Sequence, residues 1–306
     1  MPHNTIFPFY HLVSDDTPVY IRPLYPVRNI KTFRKDLEFL LSKYKPMHLA
    51  DVQAFVNNGK RGNKPAFFLS FDDGLKEIYE NVRPVLLEYG VPAAFFINPD
   101  FVGNSNWFYR FQAASLISKL DKLPGTQWKM LSNIFNTNNP EAAILKATYA
   151  QKHLLTEAAA IMEVDLDDLL SRFKPYMTAE QIVQLHNDGF YIGGHSMDHP
   201  VYADLSLADQ TAQTQHSMDY IHTHIHTDYD IFAFPFTEYG VNTAFFDAVK
   251  MDVFFGTAGM KNDPVTNVIH RIPMETGNYS ARSIIDKQAL YYMVKYIFNK
   301  NRIYRS

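Results

Sequence analysis

Two pairs of ionisable side chains follow apolar runs that read as strands. Asp72 and Asp73 come directly after one run, and His195 and His199 come directly after another. Two imidazoles spaced four apart and one carboxylate make a ligand set that suits zinc, iron, nickel or cobalt and leaves coordination positions open. Adjacent aspartates can divide two roles, because one can bind a metal ion while the other handles a proton. These residues therefore indicate a candidate metal site with a second carboxylate beside it that could transfer a proton.

Each pair also has a simpler interpretation. Asp73 and Gly74 could form an ordinary turn after a strand, and the two histidines could lie on a surface loop. A third segment, Phe232-Ala233-Phe234-Pro235-Phe236, could present the backbone N–H of Phe236 to an oxyanion, or could simply be a core strand closed by proline. The chemical interpretation therefore depends on all three segments occurring together.

Composition removes several classes of function. The chain has 306 residues, of which 46% are apolar, so it can bury a large core. A net charge of −3 without a basic stripe argues against nucleic acid as a partner. Because cysteine is absent, disulfides, thiolate zinc sites and cysteine nucleophiles are excluded. Any metal ion must be held by His, Asp or Glu.

Signals for targeting are weak. The first residues lack the basic and apolar regions of a secretory signal, and no apolar run is long enough to span a membrane. We therefore expect a cytoplasmic protein, with the cell envelope as the alternative if a leader has been removed. The sequence gives no information on the oligomeric state.

Short apolar runs alternate with amphipathic helical patterns along the chain. Several runs are apolar without alternation, as in strands that are buried on both faces of a parallel sheet. The predicted strands are Ile6–Tyr10, Met47–Leu49, Ala66–Phe71, Ala93–Ile97, Phe190–Gly194, Ile231–Phe234, Val253–Gly256 and Val268–Ile272. This order predicts an α/β fold, a distorted (β/α) barrel of about seven strands.

We predict one domain over residues 1–306, with a helical insertion at about 103–176 and a C-terminal helix at about 280–298. The insertion is far longer than a barrel connection needs. Trp107, Phe108 and Tyr109 stand near its start. If the insertion covers the metal site, these rings are candidates to face a sugar, with Trp107 and Tyr109 as substrate-binding residues. The alternative is that they are buried in the core of the insertion itself.

The motifs resemble those of the polysaccharide deacetylases, the NodB homology domain of carbohydrate esterase family 4. Ser70–Gly74 resembles the first family motif, Thr-Phe-Asp-Asp-Gly, and His195–His199 the second, His-Ser/Thr-x-x-His. Met177–Gly189 and Leu205–Tyr220 resemble the helices that flank the second motif, and Tyr10-His11 resembles the entry strand of many members. The resemblance spans most of the chain outside the insertion.

The resemblance implies a role for each motif residue. Asp73, His195 and His199 would bind a divalent metal ion, most readily zinc, with nickel, cobalt, iron or manganese as alternatives. Asp72 would be the general base. The Phe236 N–H would stabilise the oxyanion.

Departures from the family pattern lead to further expectations. Ala233 stands where the family has an arginine that pairs with the catalytic base, so we expect the pKa of Asp72 to be less depressed than in relatives with that arginine. We find no Asp-Trp pair to match the fourth motif. His270 is the nearest match to the histidine of the fifth motif, which donates a proton to the leaving amine. A histidine on a barrel strand can equally be structural. His11 could line the pocket or belong to the core.

The resemblance therefore implies hydrolysis of the N-acyl group of an amino sugar or of an oligo- or polysaccharide, with release of acetate and a free amine. The partner would be a carbohydrate or another small acylated amine. One alternative is an amidohydrolase for a formamido sugar, a cyclic imide or a ureide, because related folds host such reactions. A second is a glycan-binding protein that has lost catalytic parts.

Overall fold

The computed structural model describes residues 5–59 and 64–305. Its strands are β1 (Thr5–Ile6), β2 (Pro8–Tyr10), β3 (Lys45–Pro46), β4 (Ala66–Phe67), β5 (Leu69–Phe71), β6 (Ala93–Ile97), β7 (Tyr191–Gly194), β8 (Ile231–Ala233), β9 (Val253–Gly256), β10 (Val268–His270) and β11 (Ile272–Pro273). Its α-helices are α1 (Ile30–Lys43), α2 (Leu49–Asn57), α3 (Arg83–Tyr89), α4 (Tyr109–Ile117), α5 (Gly125–Ile134), α6 (Pro140–Leu145), α7 (Lys152–Ile161), α8 (Leu166–Phe173), α9 (Ala179–Asn187), α10 (Leu207–His224), α11 (Thr243–Ala248) and α12 (Ala281–Ile297).

The main sheet is entirely parallel, and one stretch of chain that contains its two outermost strands closes it into a barrel. Its order is β10-β9-β8-β7-β6-β5-β2-β11. The outermost strands β10 and β11 belong to the same stretch of chain and are separated only by Arg271. Because β10 pairs with β9 and β11 pairs with β2, this stretch joins the two edges of the sheet. The eight strands therefore form a barrel of seven segments, which confirms the predicted fold class.

The strands are apolar on both faces because one face lines the barrel interior and the other is covered by helices. All five residues of β6 are buried, as are those of β5, β8 and β9. Inward side chains fill the barrel, and outward side chains pack under the helices that connect the strands. None of the helices in the described part of the chain combines the length and apolar character that a membrane crossing requires.

One predicted strand, Met47–Leu49, is wrong. The strand in this region, β3, covers only Lys45–Pro46, and Leu49 is the first residue of α2. The Asp51 carboxylate accepts a hydrogen bond from the backbone N–H of His48 at 3.0 Å. This contact caps the start of a helix and directs the apolar run into α2. The other predicted strands occur, although Phe7 and Phe68 interrupt the first and third.

The insertion contains helices α4 to α8. Apolar side chains of these helices join the same core as the barrel, for example Phe111, Leu131 and Leu155, which are fully buried. The segment is therefore packed on the barrel rather than extended away from it.

Gly193 in β7 is a position where the barrel interior leaves no room for a side chain. An added Cβ would lie 2.6 Å from the Phe96 ring and 2.8 Å from Ile231. We predict that Gly193→Ala lowers the free energy of unfolding by about 1–3 kcal/mol, because overpacking forces its neighbours to move. Urea unfolding measures the change. Gly125→Ala, at the start of α5 with open space around it, is the control. Equal stability of the two variants would contradict the prediction.

Candidate active site

The predicted chemical residues meet at one rim of the barrel. Asp72 and Asp73 follow β5, His195 follows β7, and His11 follows β2. In a parallel barrel all strands end at the same rim, so residues that are distant in sequence become neighbours. The backbone N–H of Asp72 donates to the carbonyl of Tyr10 at 3.0 Å, which places His11 beside Asp72 on adjacent strands.

Asp73, His195 and His199 converge on one point. The Nε2 atoms of His195 and His199 lie 3.4 Å and 3.1 Å from the same oxygen, Asp73 Oδ1. One potential ligand atom from each of the three residues lies within 4.8 Å of the others. All three side chains are buried. A search of residues 5–59 and 64–305 for three or more His, Cys, Asp or Glu side chains close enough to hold one metal ion finds this group alone.

The hydrogen bond of the His195 ring directs its second nitrogen, Nε2, toward Asp73. Its Nδ1 lies 2.8 Å from the carbonyl oxygen of Ala233 and must donate a proton to it. In the neutral ring Nε2 then carries a lone pair and faces Asp73. Asp73 Oδ1 is buried and receives no well-formed hydrogen bond from the described residues. A buried carboxylate oxygen opposite an imidazole lone pair fits a divalent cation and is costly without one.

The loops of the site have an unusual backbone. Asp73, Ser196, His199 and Phe236 have φ values of 70°, 65°, 62° and 56°, in the left-handed region that non-glycine residues seldom adopt. Local hydrogen bonds hold this conformation, because Ser196 Oγ accepts from the His199 N–H at 3.0 Å and Asn98 Nδ2 donates to the carbonyl of His195. Such backbone strain is concentrated at functional sites.

Asp72 pairs with an arginine that the sequence motifs did not indicate. The guanidinium of Arg271 donates to both Asp72 oxygens, at 2.6 Å and 2.8 Å, and to Ser70 Oγ at 3.1 Å. Burial alone would raise the pKa of Asp72, but Arg271 keeps it below its usual value. The expectation of a missing cation, based on Ala233, is therefore wrong. The cation comes from the last strand instead.

The sequence analysis identified the correct strand but chose His270 instead of the adjacent Arg271. His270 and Arg271 are adjacent on the closing segment, so their side chains point to opposite faces. The ring of His270 lies between Glu238 and Asp263, with nitrogen-to-oxygen distances of 3.1 Å and 3.0 Å. This corrects the assignment of His270 as the proton donor, because both ring nitrogens face carboxylates outside the site. An arginine in an otherwise apolar barrel strand was the informative residue.

His11 lies at the rim with a carboxylate of its own. Its Nδ1 is 2.7 Å from Glu275 Oε2, which also accepts from the His11 backbone N–H at 2.9 Å. Burial alone would lower the pKa of His11, but Glu275, together with Asp73 and Asp72, raises it to about 9. The imidazole is 30% exposed and remains accessible from the cleft. Glu275 was not identified from the sequence because it follows the last strand without any motif.

Aromatic rings enclose His199. The Phe108 and Phe236 ring centroids lie 4.4 Å and 4.5 Å from that of His199. Phe108 comes from the start of the insertion, so the insertion reaches the group formed by Asp73, His195 and His199. The Phe236 backbone N–H donates no hydrogen bond within the described residues, and its side chain is 38% exposed.

The other two aromatics of this stretch lie deeper. Trp107 is buried, and its indole N–H donates to the carbonyl of Leu166 at 3.1 Å within the insertion. Tyr109 is also buried, with its ring 6.4 Å from that of Phe236. A further link joins the insertion to the second motif, because Tyr149 Oη donates to Asp198 Oδ2 at 2.6 Å.

We predict that Arg271→Met lowers the free energy of unfolding by about 3–5 kcal/mol at neutral pH, since it leaves a buried carboxylate unpaired. Asp72 has a depressed pKa in the folded protein, so its ionised form stabilises the fold above its unfolded pKa and this contribution is lost as pH falls through the folded pKa. The deficit of the variant should therefore shrink as pH is lowered. Urea unfolding across pH measures it.

Arg282→Met is the matched control, because Arg282 pairs with Asp286 at 3.7 Å and both side chains are exposed. An exposed pair contributes at most about 1 kcal/mol. If the two variants lost the same stability, the Asp72–Arg271 pair would not have the role described.

We compared the chain with known protein families and with solved structures. The family model described as polysaccharide deacetylase matches residues 59–252, more than half of the chain. A search of curated protein sequences finds no match. Among solved structures, the Streptococcus pyogenes deacetylase PplD in complex with acetate has a TM-score of 0.61 and 14% identity, covering 93% of this chain and 97% of that one.

Two further structures share the fold. IcaB from Ammonifex degensii has a TM-score of 0.59 and 14% identity, with 93% of this chain and 95% of that chain covered. A de-N-acetylase from Aggregatibacter actinomycetemcomitans has a TM-score of 0.51 and 18% identity, with 92% and 99% covered. The resemblance stated from the motifs is thereby confirmed: the chain belongs to the polysaccharide deacetylase family and is a hydrolase that acts on carbon–nitrogen bonds.

Proposed function

We propose that this protein removes the acetyl or a similar acyl group from the nitrogen of an amino sugar in an oligo- or polysaccharide, and that it needs a divalent metal ion to do so. One observation carries the proposal. Asp73 Oδ1 lies 3.4 Å and 3.1 Å from the Nε2 atoms of His195 and His199 in a buried site, has no hydrogen-bond partner among the described residues, and stands beside the paired carboxylate of Asp72. A cation at this point would neutralise the cluster.

The ligand set favours zinc. Two imidazoles and one carboxylate bind zinc with a position left for water or substrate, and nickel, cobalt, iron or manganese can also use this set. A divalent cation held by Asp73, His195 and His199 would polarise the acyl carbonyl and increase the acidity of water.

Asp72 would accept a proton from the attacking water. Arg271 holds both of its oxygens and keeps it ionised, so the carboxylate is available as a base near neutral pH. The free N–H of Phe236 would donate to the carbonyl oxygen as negative charge develops there.

His11 would donate a proton to the leaving nitrogen. It lies beside Asp72, its ring is accessible, and Glu275 keeps its pKa near 9, so it is protonated at neutral pH. In the balanced reaction, the oxygen of water bonds to the acyl carbon and the carbon–nitrogen bond breaks. A carboxylic acid and a free amine are released, and Asp72 and His11 handle the two proton transfers.

The substrate is identified by testing a panel of acylated sugars for amine release. The other amides considered from the sequence, namely formamido sugars, cyclic imides and ureides, belong in the same panel. Glycan binding without turnover by metal-loaded protein would instead indicate a binding protein that has lost activity.

We predict that Asp72→Asn retains the metal ion but loses turnover by about a hundredfold or more, because the general base is removed. His199→Ala should lose both the metal ion and turnover, because a ligand is removed. Metal analysis of the purified proteins together with amine release distinguishes the two variants.

His222→Ala is the matched control, since His222 is an exposed histidine paired with Asp230 at 2.7 Å and lies outside the site. It should retain both metal and turnover. Loss of metal in an Asp72→Asn protein that keeps its folded structure, as judged by circular dichroism, would show that the two aspartates do not divide their roles as proposed.

We predict that Glu275→Gln moves the alkaline limb of the pH–activity profile to lower pH. His11 must be protonated to act, so activity is lost as pH rises through its pKa, which Glu275 raises to about 9. Removal of that charge lowers this pKa. Glu88→Gln, at an exposed pair with Arg34, is the control. An alkaline limb that stayed in place in Glu275→Gln would rule out His11 as the proton donor.

A further inference from the structure

The second half of α12 exposes a row of large apolar side chains. Four of them follow the i, i+3, i+4, i+7 spacing that places side chains on one face of a helix, namely Leu290, Met293, Val294 and Ile297. Phe298 lies one turn after Val294, directly behind the last helical residue. Exposed fractions in this row run from 41% for Met293 to 70% for Ile297. We call these five residues the α12 stripe.

The opposite face of the same helix is buried on the barrel. The buried residues of α12 are Ala281, Ile284, Ile285 and Tyr292. At about 3.6 residues per turn they lie on the side of the helix away from the α12 stripe. A surface helix normally has one apolar face, which it turns toward the core. Because α12 has a second one, packing within this chain does not account for the α12 stripe.

Contacts at both ends keep α12 in this orientation. At its start, the backbone N–H of Ala281 donates to Asp36 Oδ1 in α1 at 2.9 Å. Beyond its end, the backbone N–H of Asn262 donates to the carbonyl of Asn301 at 2.8 Å, which holds the following segment on the barrel. The helix is therefore fixed on its buried face, and the α12 stripe stays on the surface.

The part of the chain that carries the α12 stripe is basic, whereas the rest is acidic. Residues 279–306 contain six Lys or Arg and one Asp, a net charge of +5, and residues 1–278 contain 23 Lys or Arg and 31 Asp or Glu, a net charge of −8. The single acid, Asp286, pairs with Arg282 at 3.7 Å. Lys287 lies one turn before the α12 stripe, Lys300 and Arg302 follow it, and all three are exposed. The complementary partner is therefore apolar and anionic.

Tyrosines surround the α12 stripe. Tyr291, Tyr296 and Tyr304 are exposed, and the Lys295 Nζ lies 4.5 Å from the centre of the Tyr291 ring. Tyrosine and lysine each combine an apolar body with a polar tip, so both are suited to the boundary between lipid headgroups and acyl chains.

The charge also distinguishes a lipid surface from a second copy of the chain. In a symmetric dimer formed through α12, the same patch would face itself, so Lys287, Lys300 and Arg302 would meet their own copies. Like charges brought together across an interface are unfavourable. A bilayer with anionic lipids instead offers acyl chains to the apolar side chains and negative headgroups to the cations around them.

We propose that the α12 stripe binds the surface of a membrane that contains anionic lipids. In this arrangement α12 lies in the plane of the interface, the α12 stripe enters the boundary of the acyl chains, and Lys287, Lys300 and Arg302 contact headgroups. The helix lies on the bilayer without crossing it, since its other face is packed on the barrel. This inference does not depend on the proposed function.

The test is flotation of the full chain with vesicles of phosphatidylcholine, alone or with phosphatidylglycerol. With about 30% phosphatidylglycerol, we expect binding to be at least about tenfold tighter than to neutral vesicles, because several cations approach the surface. Binding should weaken as salt is added, since ions screen this attraction.

A double variant tests the apolar part of the contact. Met293→Gln with Ile297→Gln should weaken vesicle binding by about tenfold or more, because two apolar side chains no longer leave water. Both side chains are exposed, so urea unfolding should show unchanged stability. Leu87→Gln with Met130→Gln is the matched control, because these side chains are 45% and 50% exposed on α3 and α5. It should bind as the wild type does.

A second double variant tests the charge. Lys287→Gln with Lys300→Gln should weaken binding to the anionic vesicles by about tenfold or more and leave binding to neutral vesicles unchanged. Lys122→Gln with Lys129→Gln, which removes two exposed cations from the insertion, is the matched control.

A depth measurement shows which face enters the lipid. Tryptophan fluorescence of Ile297→Trp should be quenched by vesicles whose phosphatidylcholine carries bromine on its acyl chains. Met130→Trp, on the exposed side of α5, should give no additional quenching.

Three results would overturn the proposal. The first is absence of binding to the anionic vesicles at low salt, and the second is binding that both α12 double variants leave unchanged. The third is a concentration-dependent dimer in analytical ultracentrifugation that Met293→Gln with Ile297→Gln abolishes, without vesicle binding. That last result would assign the α12 stripe to a second copy of the chain.

Discussion

The buried ion pair between Arg271 and Asp72 joins the architecture of this protein to its chemistry. Arg271 is fully buried at the point where β10 passes into β11 and the barrel closes. Its guanidinium satisfies Asp72 and Ser70, and it lies over the Phe9 ring at 4.3 Å. Desolvating a guanidinium and a carboxylate is expensive and is offset only when both ends of each group are paired. The closing segment and the end of β5 are therefore fixed relative to each other.

Much of the site could be predicted from the sequence because its chemistry is local. Asp73 lies in the loop after β5, and His195 and His199 lie in the loop after β7, and strand ends in a parallel barrel share one rim. The fold class followed from the same alternation of strands and helices. The pairing between distant segments was not predicted. Asp72 and Arg271, for example, are 199 residues apart. No spacing rule connects them, whereas the closure of the barrel does.

The errors also have a common physical origin. His270 was chosen over Arg271 because a histidine in that strand resembled a motif, although strand alternation allows only one of the two neighbours to face the interior. At Met47–Leu49 the apolar run suggested a strand, but the hydrogen bond from the His48 N–H to Asp51 favours a helix. In both cases a short sequence pattern was overridden by structure outside it, by the facing of neighbouring strand residues at His270 and by one capping hydrogen bond at His48.

The proposed base, Asp72, and the proposed acid, His11, each form an ion pair with a different residue rather than with each other. Asp72 and His11 are neighbours on adjacent strands, and direct pairing would tend to neutralise both. Instead, Arg271 holds the pKa of Asp72 down while Glu275 raises that of His11, and both partners follow from the last strand and the loop after it. At neutral pH one group is then ionised as a base and the other is protonated as an acid. Two titratable groups whose environments move their pKa values in opposite directions are a general arrangement for acid–base catalysis. In this protein, the single stretch that closes the barrel supplies both environments.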